Sequence, residues 1–229
     1  MIEEATMGDH KATSRERRKP NSQRQASRRF LIVCEGQTEA AYLRQLNRIL
    51  RGIISIDPVI DHSSPQSVVN RAILLKNGDR RFGIAAAEAD TEVWAVFDWD
   101  QHSEQVQAAC LDAKWNGVKV VLSNPCIEVW LHWHYAEYMR LGCDQHRAQA
   151  DLKKTRPEYV KGRRTPEVPL SGIREAVNRA RLAEQKHQAE GRSFPEDRPS
   201  SSMYILIDAL TKAWADARPD DHCPLWPNP

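Results

Sequence analysis

The chain has 229 residues, 41% of them hydrophobic and 28% charged, which suits one α/β domain with an added segment or a small second domain. No apolar run approaches the roughly 20 residues that span a bilayer, and the N-terminus is polar and then basic, without a signal-like apolar stretch, so no membrane partner is expected and a cytoplasmic protein is. Five scattered cysteines (Cys34, Cys110, Cys126, Cys143, Cys223) without a C-x-x-C exclude a disulfide framework and fit a reducing compartment.

The net charge is only +2, but it is unevenly spread. Lys11 to Arg29 carries eight Lys or Arg against Glu16. Residues 1–28 are polar and aperiodic and read as a disordered basic tail. Lys153, Lys154, Arg156, Lys161, Arg163 and Arg164 form a second basic cluster around Tyr159, against Glu158. Such clusters on a near-neutral chain suit a polyanion backbone, with the tyrosine available to stack on a base; a solvated face is the plain alternative.

Phe30 to Cys34 is an apolar run of strand length, followed by the turn Glu35-Gly36. Thr38 is a candidate N-cap for a helix running to Gly52. Ile53 to Ile60 reads as a second strand broken at Pro58. Ser64-Pro65 opens a helix with Val68, Val69, Ala72, Ile73 and Leu75 inward, ending at Asn77-Gly78. Residues 79–90 carry no clear period. Glu92 to Phe97 is a third strand, leading into Asp98-Trp99-Asp100. A helix over 103–115 stops at Asn116-Gly117. Val118 to Leu122 is a fourth strand, and 127–138 an aromatic-rich helix.

This alternation predicts a mainly parallel central sheet flanked by helices over an α/β core at 29–142. Beyond Gly142 it ceases. Residues 151–169 read as a basic loop or arm, Ile173 to Glu190 as a helix, and Ser200 to Ser202 as the cap of a last helix from Met203 to about Ala217. Residues 143–217 would thus be a basic loop and C-terminal helices packing on the core, with a loose tail at 218–229.

In open α/β sheets ligands bind beyond the carboxyl ends of the strands. Glu35, Asp98 and Asp100 would converge on that rim, and three carboxylates there suit a hard divalent cation, Mg²⁺ or Mn²⁺. Asp98 and Asp100 would hold the ion, and Glu35 would take a proton from an attacking water or join the metal. A polar strand exit with a capping role is the alternative for the Asp pair. Glu39 in the next helical turn and Glu128 at a later helix start are supporting candidates, although dipole and capping effects explain both positions equally well. Asn124, ahead of Glu128, joins them.

A glutamate-glycine after the first strand and an Asp-x-Asp after a later one resemble the Toprim catalytic domain of topoisomerases, primases and nucleases. Ile32-Val33-Cys34-Glu35-Gly36-Gln37-Thr38-Glu39 with Tyr42 resembles the V-x-E-G-x-T-E-x-x-Y opening of the RloB family. Val96 to Asp100 resembles its F-D-x-D element, and Ser123 to Leu131 its S-N-P-x-x-E-x-W-L element, with His134 near an expected histidine. Arg198-Pro199-Ser200-Ser201 resembles a weaker N-P-S-T element. Trp99 departs from the basic residue often found between the two aspartates.

The resemblance implies a Toprim-like Rossmannoid fold with a C-terminal helical extension. It also implies Mg²⁺-dependent phosphodiester cleavage, a role in phage defence as in AbiL-type abortive infection, and an AAA-type ATPase encoded nearby. Lys153, Lys154, Lys161, Arg163 and Arg164 would hold the nucleic acid, RNA or DNA. A non-catalytic metal- or nucleic-acid-binding regulatory subunit of the ATPase is the rival reading, and a homo-oligomer is left open.

Overall fold

Side chains alternate between the two faces of a strand, and in β1 (Arg28–Cys34) both faces are apolar. Phe30, Ile32 and Cys34 enter one core, while Val33 and the partly buried Leu31 enter another. The same alternation recurs in β3 (Thr91–Asp98), where Trp94 and Val96 join the first core and Val93, Ala95 and Phe97 the second. A strand greasy on both sides belongs inside a sheet covered on both sides. The computed structural model, which describes residues 28–99, 103–137, 141–161, 167–169 and 171–226, has that form.

Among the described residues the sheet has five strands in the order β2-β1-β3-β4-β5. β2 (Ile54–Ile60), β1, β3 and β4 (Lys119–Asn124) are parallel, as β-α-β connections require. β5 is the two-residue strand Ser200–Ser201, antiparallel to β4. The predicted mainly parallel sheet flanked by helices, with a C-terminal helix, is therefore the observed architecture.

From β1 the chain passes through α1 (Gln37–Leu50) to β2 on one side. It then returns through α2 (Pro65–Asn77) to β3 on the other side of β1, and α3 (Ser103–Trp115) leads to β4. Right-handed crossovers that run in opposite directions put their helices on opposite faces. Accordingly α1 supplies Leu43, Leu46 and Leu50 to the first core, and α2 and α3 supply Val68, Val69, Ala72, Val106 and Ala109 to the second. The reversal leaves a crevice between the carboxyl ends of β1 and β3, the usual place for a ligand in such sheets.

The first core is closed by α4 (Glu128–Trp133), α5 (Gln145–Thr155), α6 (Gly172–Ala189) and α7 (Met203–Ala217). Trp130 is fully buried, with edge-on contacts to Tyr42 and His134 at ring separations of 6.2 and 5.3 Å. Burial pushes His134 down to about 3, so it is a neutral packing residue. Gly172 lies against the same element, and a Cβ there would meet the His134 carbonyl oxygen at 2.5 Å.

Four local expectations are corrected. Pro58 does not break β2, which pairs with β1 through Ile60; β2 is an edge strand, where a missing N–H is tolerated. Thr38 is not the cap of α1: Gly36 stands there without a side-chain bond, and Thr38 is buried inside the first turn. Lys153 and Lys154 are not in a loop but in the last turn of α5, a helix opened by Asp144, which accepts a hydrogen bond from the Arg147 N–H at 2.8 Å. The helix at 127–138 is only the six residues of α4. Residues 79–90, hard to place by pattern, include a short turn at Arg80–Phe82 closed by an Asp79–Ile84 bridge.

Candidate active site

Glu35 is the first residue past β1, and its N–H donates to the Val96 carbonyl of β3 at 3.1 Å. Asp98 is the last residue of β3. By the alternation that sends Trp94 and Val96 into the first core, the Asp98 side chain is on the same side, towards α1 and α4. Its N–H donates to Glu35 Oε2 at 3.3 Å, so the two strand ends are tied at the crevice.

Gly36 follows at the N-terminus of α1. A Cβ there would stand 2.9 Å from Glu39 Oε2, so the missing side chain makes room for the next carboxylate of the site. Glu39 sits in the first turn, where the helix dipole favours an acid, and is only 5% exposed. Glu128 is the first residue of α4 and is fully buried. Tyr159 Oη donates to its Oε1 at 2.6 Å, while Oε2 has no hydrogen-bond partner among the described residues.

These four carboxylates feel one another. Burial, and then the charges of Glu35 and Glu128, push Glu39 up to about 7, against a helix-backbone hydrogen bond and Lys161, which pull down. Burial first, then Glu39, Glu128 and Glu35, hold Asp98 well above the usual carboxylate range. Burial and the Glu39 charge raise the Cys34 thiol to about 12, so it is an inert core group. Clustered acids that resist ionisation are starved of positive charge.

A cleft of about 350 Å³ opens over this floor, lined by Glu35, Gly36, Glu39, Asp98 and Lys161, with His62 and Ser63 on the β2 side. His62 and Ser63 were not singled out by motif, but they follow the carboxyl end of β2, and the strand-end rule applied to β2 finds them.

The candidates from the sequence separate into groups. Glu35, Glu39, Asp98 and Glu128 come together, and Lys161 lines the same cleft as the first three. Asn124 is buried elsewhere: its Nδ2 donates to the Pro195 carbonyl at 3.0 Å and to Asp197 Oδ1 at 2.7 Å, which ties β4 to the 195–197 segment. Lys153 is exposed on α5, and Lys154 pairs with Asp151 at 2.7 Å. Tyr159 is 5% exposed and engaged with Glu128, so it is no stacking platform for a base. Asp100, Arg163 and Arg164 lie outside the described residues.

Among the described residues no three His, Cys, Asp or Glu side chains form a group able to hold a metal ion. The donor chemistry nevertheless fits a hard cation: every acid is an oxygen donor, their mutual charge is under-compensated, and a buried Glu128 oxygen has no hydrogen-bond partner among the described residues. No helix among the described residues is long and apolar enough to cross a membrane.

A mainly parallel sheet with a switch point at β1 and β3, and acids at both strand ends, defines an α/β protein with a carboxylate-floored crevice. The family of RloB-like proteins matches residues 30–210, which takes in every element from β1 to the middle of α7, and the chain belongs to that family. No curated protein and no solved structure matches it significantly.

Proposed function

We propose that this chain is a Mg²⁺- or Mn²⁺-dependent nuclease with a Toprim-like site, acting in phage defence beside an AAA-type ATPase. The observation that carries the chemistry is the convergence of Glu35, Glu39, Asp98 and Glu128, from separate elements, on the crevice at the switch point. The defence role and the ATPase rest on the RloB-like resemblance alone.

Asp98, with Asp100 and Glu35, would hold the ion, which when bound supplies charge to stabilise the dianionic transition state of phosphodiester hydrolysis. The protein's own residues divide the remaining work. Glu35 is fixed by the Asp98 N–H at the cleft floor, where it can accept the proton of an attacking water. Glu39, near 7, can hold or release a proton beside it at neutral pH. Glu128, deeper and bonded to Tyr159, sets the negative potential of the floor and anchors the segment that brings Lys161 to the cleft.

The test is cleavage of tRNA, single-stranded and duplex substrates with Mg²⁺ or Mn²⁺, with and without the ATPase, beside Asp98→Ala. Loss of cleavage in Asp98→Ala, with folding intact by circular dichroism, is the expected result. Wild-type activity in that variant would defeat the assignment. A second readout is independent of turnover: the divalent ion should stabilise the wild type and not Asp98→Ala, by about 2.7 kcal/mol at ~100 times Kd, read as a rise in melting temperature. Metal binding without cleavage, even with the ATPase present, would favour the regulatory-subunit reading.

A further inference from the structure

The basic residues of the 153–164 region do not share one environment. Lys154 is paired with Asp151 along α5. Arg156 is occupied by Tyr135, donating to its hydroxyl at 2.5 Å with the guanidinium 5.2 Å from the ring centre, and by Glu158. Lys161 differs: it lines the cleft. Its place is set by the residues before it. Two residues earlier the Tyr159 hydroxyl is pinned to Glu128 under the site. Further on, Val168 is held to α1 by a reciprocal pair, Gln45 Nε2 to the Val168 carbonyl at 2.6 Å and the Val168 N–H to Gln45 Oε1 at 3.0 Å. Lys161 thus stands at the wall of the cleft two residues after the Tyr159 anchor, and its ammonium acts electrostatically on both Glu39 and Asp98.

We propose that Lys161 is the phosphate-contacting catalytic residue of this site, its ammonium meeting a non-bridging oxygen of a phosphodiester seated between Glu35, Glu39 and Asp98. This rests on the nuclease reading and sharpens it. A water oxygen forms the new bond to phosphorus as its proton passes to a carboxylate. The bond from phosphorus to the sugar oxygen breaks, and that oxygen leaves with the electron pair and is protonated from solvent. Lys161 exchanges no proton. It stabilises the charge that grows on the equatorial oxygens, which is worth more in a crevice than in water. The other basic residues would hold the strand on either side, so they contribute to binding rather than to the chemical step.

The experiment is steady-state kinetics of the full chain, with its ATPase where cleavage requires it. Lys161→Ala, Lys161→Arg, Lys154→Ala and Asp98→Ala are assayed on the substrate that the wild type cleaves. Lys161→Ala should lower kcat by roughly 100-fold with KM changed by less than about threefold, as for loss of one oxyanion-stabilising donor. Lys161→Arg should recover much of that loss. Lys154→Ala should act on KM alone. The melting temperature of Lys161→Ala should stay near that of the wild type, because the side chain is exposed. A Lys161→Ala enzyme with kcat within about threefold of wild type, whether or not KM rises, overturns this role and leaves the nuclease reading standing, provided Asp98→Ala is inactive. A wild type that cleaves nothing, alone or with the ATPase, overturns the nuclease reading and this role with it.

Discussion

Tyr159→Phe tests whether the floor of the crevice and the segment above it are one unit. The substitution removes a single oxygen. Both partners are nearly out of solvent, Tyr159 at 5% and Glu128 at 0% exposed, and the hydrogen bond between them is 2.6 Å long. Water cannot readily take the place of the lost donor, and Glu128 Oε2 already lacks a partner among the described residues. A hydrogen bond to a charged group contributes about 1.5–3 kcal/mol, and leaving a buried charged acceptor unmet costs at least as much. For a chain of this size each kcal/mol moves the melting temperature by about 2–4 °C, so a fall of about 3–12 °C is expected. Thermal melts by circular dichroism at pH 7.5 in chelator measure it. Repeating the substitution in a Glu128→Gln background identifies the origin: with a neutral acceptor the same lost hydroxyl should cost only about 0.5–1.5 kcal/mol. A shift below ~1 °C in the native background would refute the reasoning, because it would mean that the hydroxyl and the carboxylate do not meet. The variant should also lose cleavage, since the anchor that sets the course of Lys161 is gone.

The remaining predictions address charge and packing. Glu39 has its pKa raised from 4.5 to about 7, mainly by burial. A carboxyl raised in the folded state favours folding below its unfolded pKa, and that contribution is lost as pH rises through the folded value. Without divalent ions the stability of wild type relative to Glu39→Gln should therefore fall by on the order of 3 kcal/mol between about pH 4.5 and 7, and level off above. Parallel stability curves across that window would show that Glu39 is not perturbed. At Gly172 a Cβ would meet the His134 carbonyl oxygen at 2.5 Å, and backbone cannot step aside as a flexible side chain does. Gly172→Ala should cost about 1–3 kcal/mol in urea unfolding at unchanged m-value, and a neutral result would mean that α6 does not approach α4 so closely.

The parts of this site that the sequence announces are those governed by local rules. Five apolar residues ending in Glu35-Gly36 specify a buried strand and its exit, and Asp98 closes a second such strand, so the acidic rim follows from strand polarity alone. What stays hidden depends on pairing between distant segments. Pro58 reads as a strand breaker until the sheet order puts β2 at the edge. Ser200–Ser201 is too short and too polar to announce a strand; its place comes from Ser123 and Asn124 of β4, nearly 80 residues earlier. Glu39 reads as an ordinary first-turn acid, and only its burial, with Glu35 and Glu128 close by, makes it a group that titrates near neutrality. Tyr159 reads as part of a basic, nucleic-acid-facing stretch, yet its hydroxyl is spent on Glu128, and this inverts its role. The aromatic is the anchor and the lysine two residues on is the working group. A basic cluster in sequence is thus divided by one buried hydrogen bond. Lys154 stays on an α5 helix paired with its own Asp151, and Lys161 lines the cleft of Glu35, Glu39 and Asp98, where the raised pKa values of Glu39 and Asp98 mark the place where positive charge is wanted.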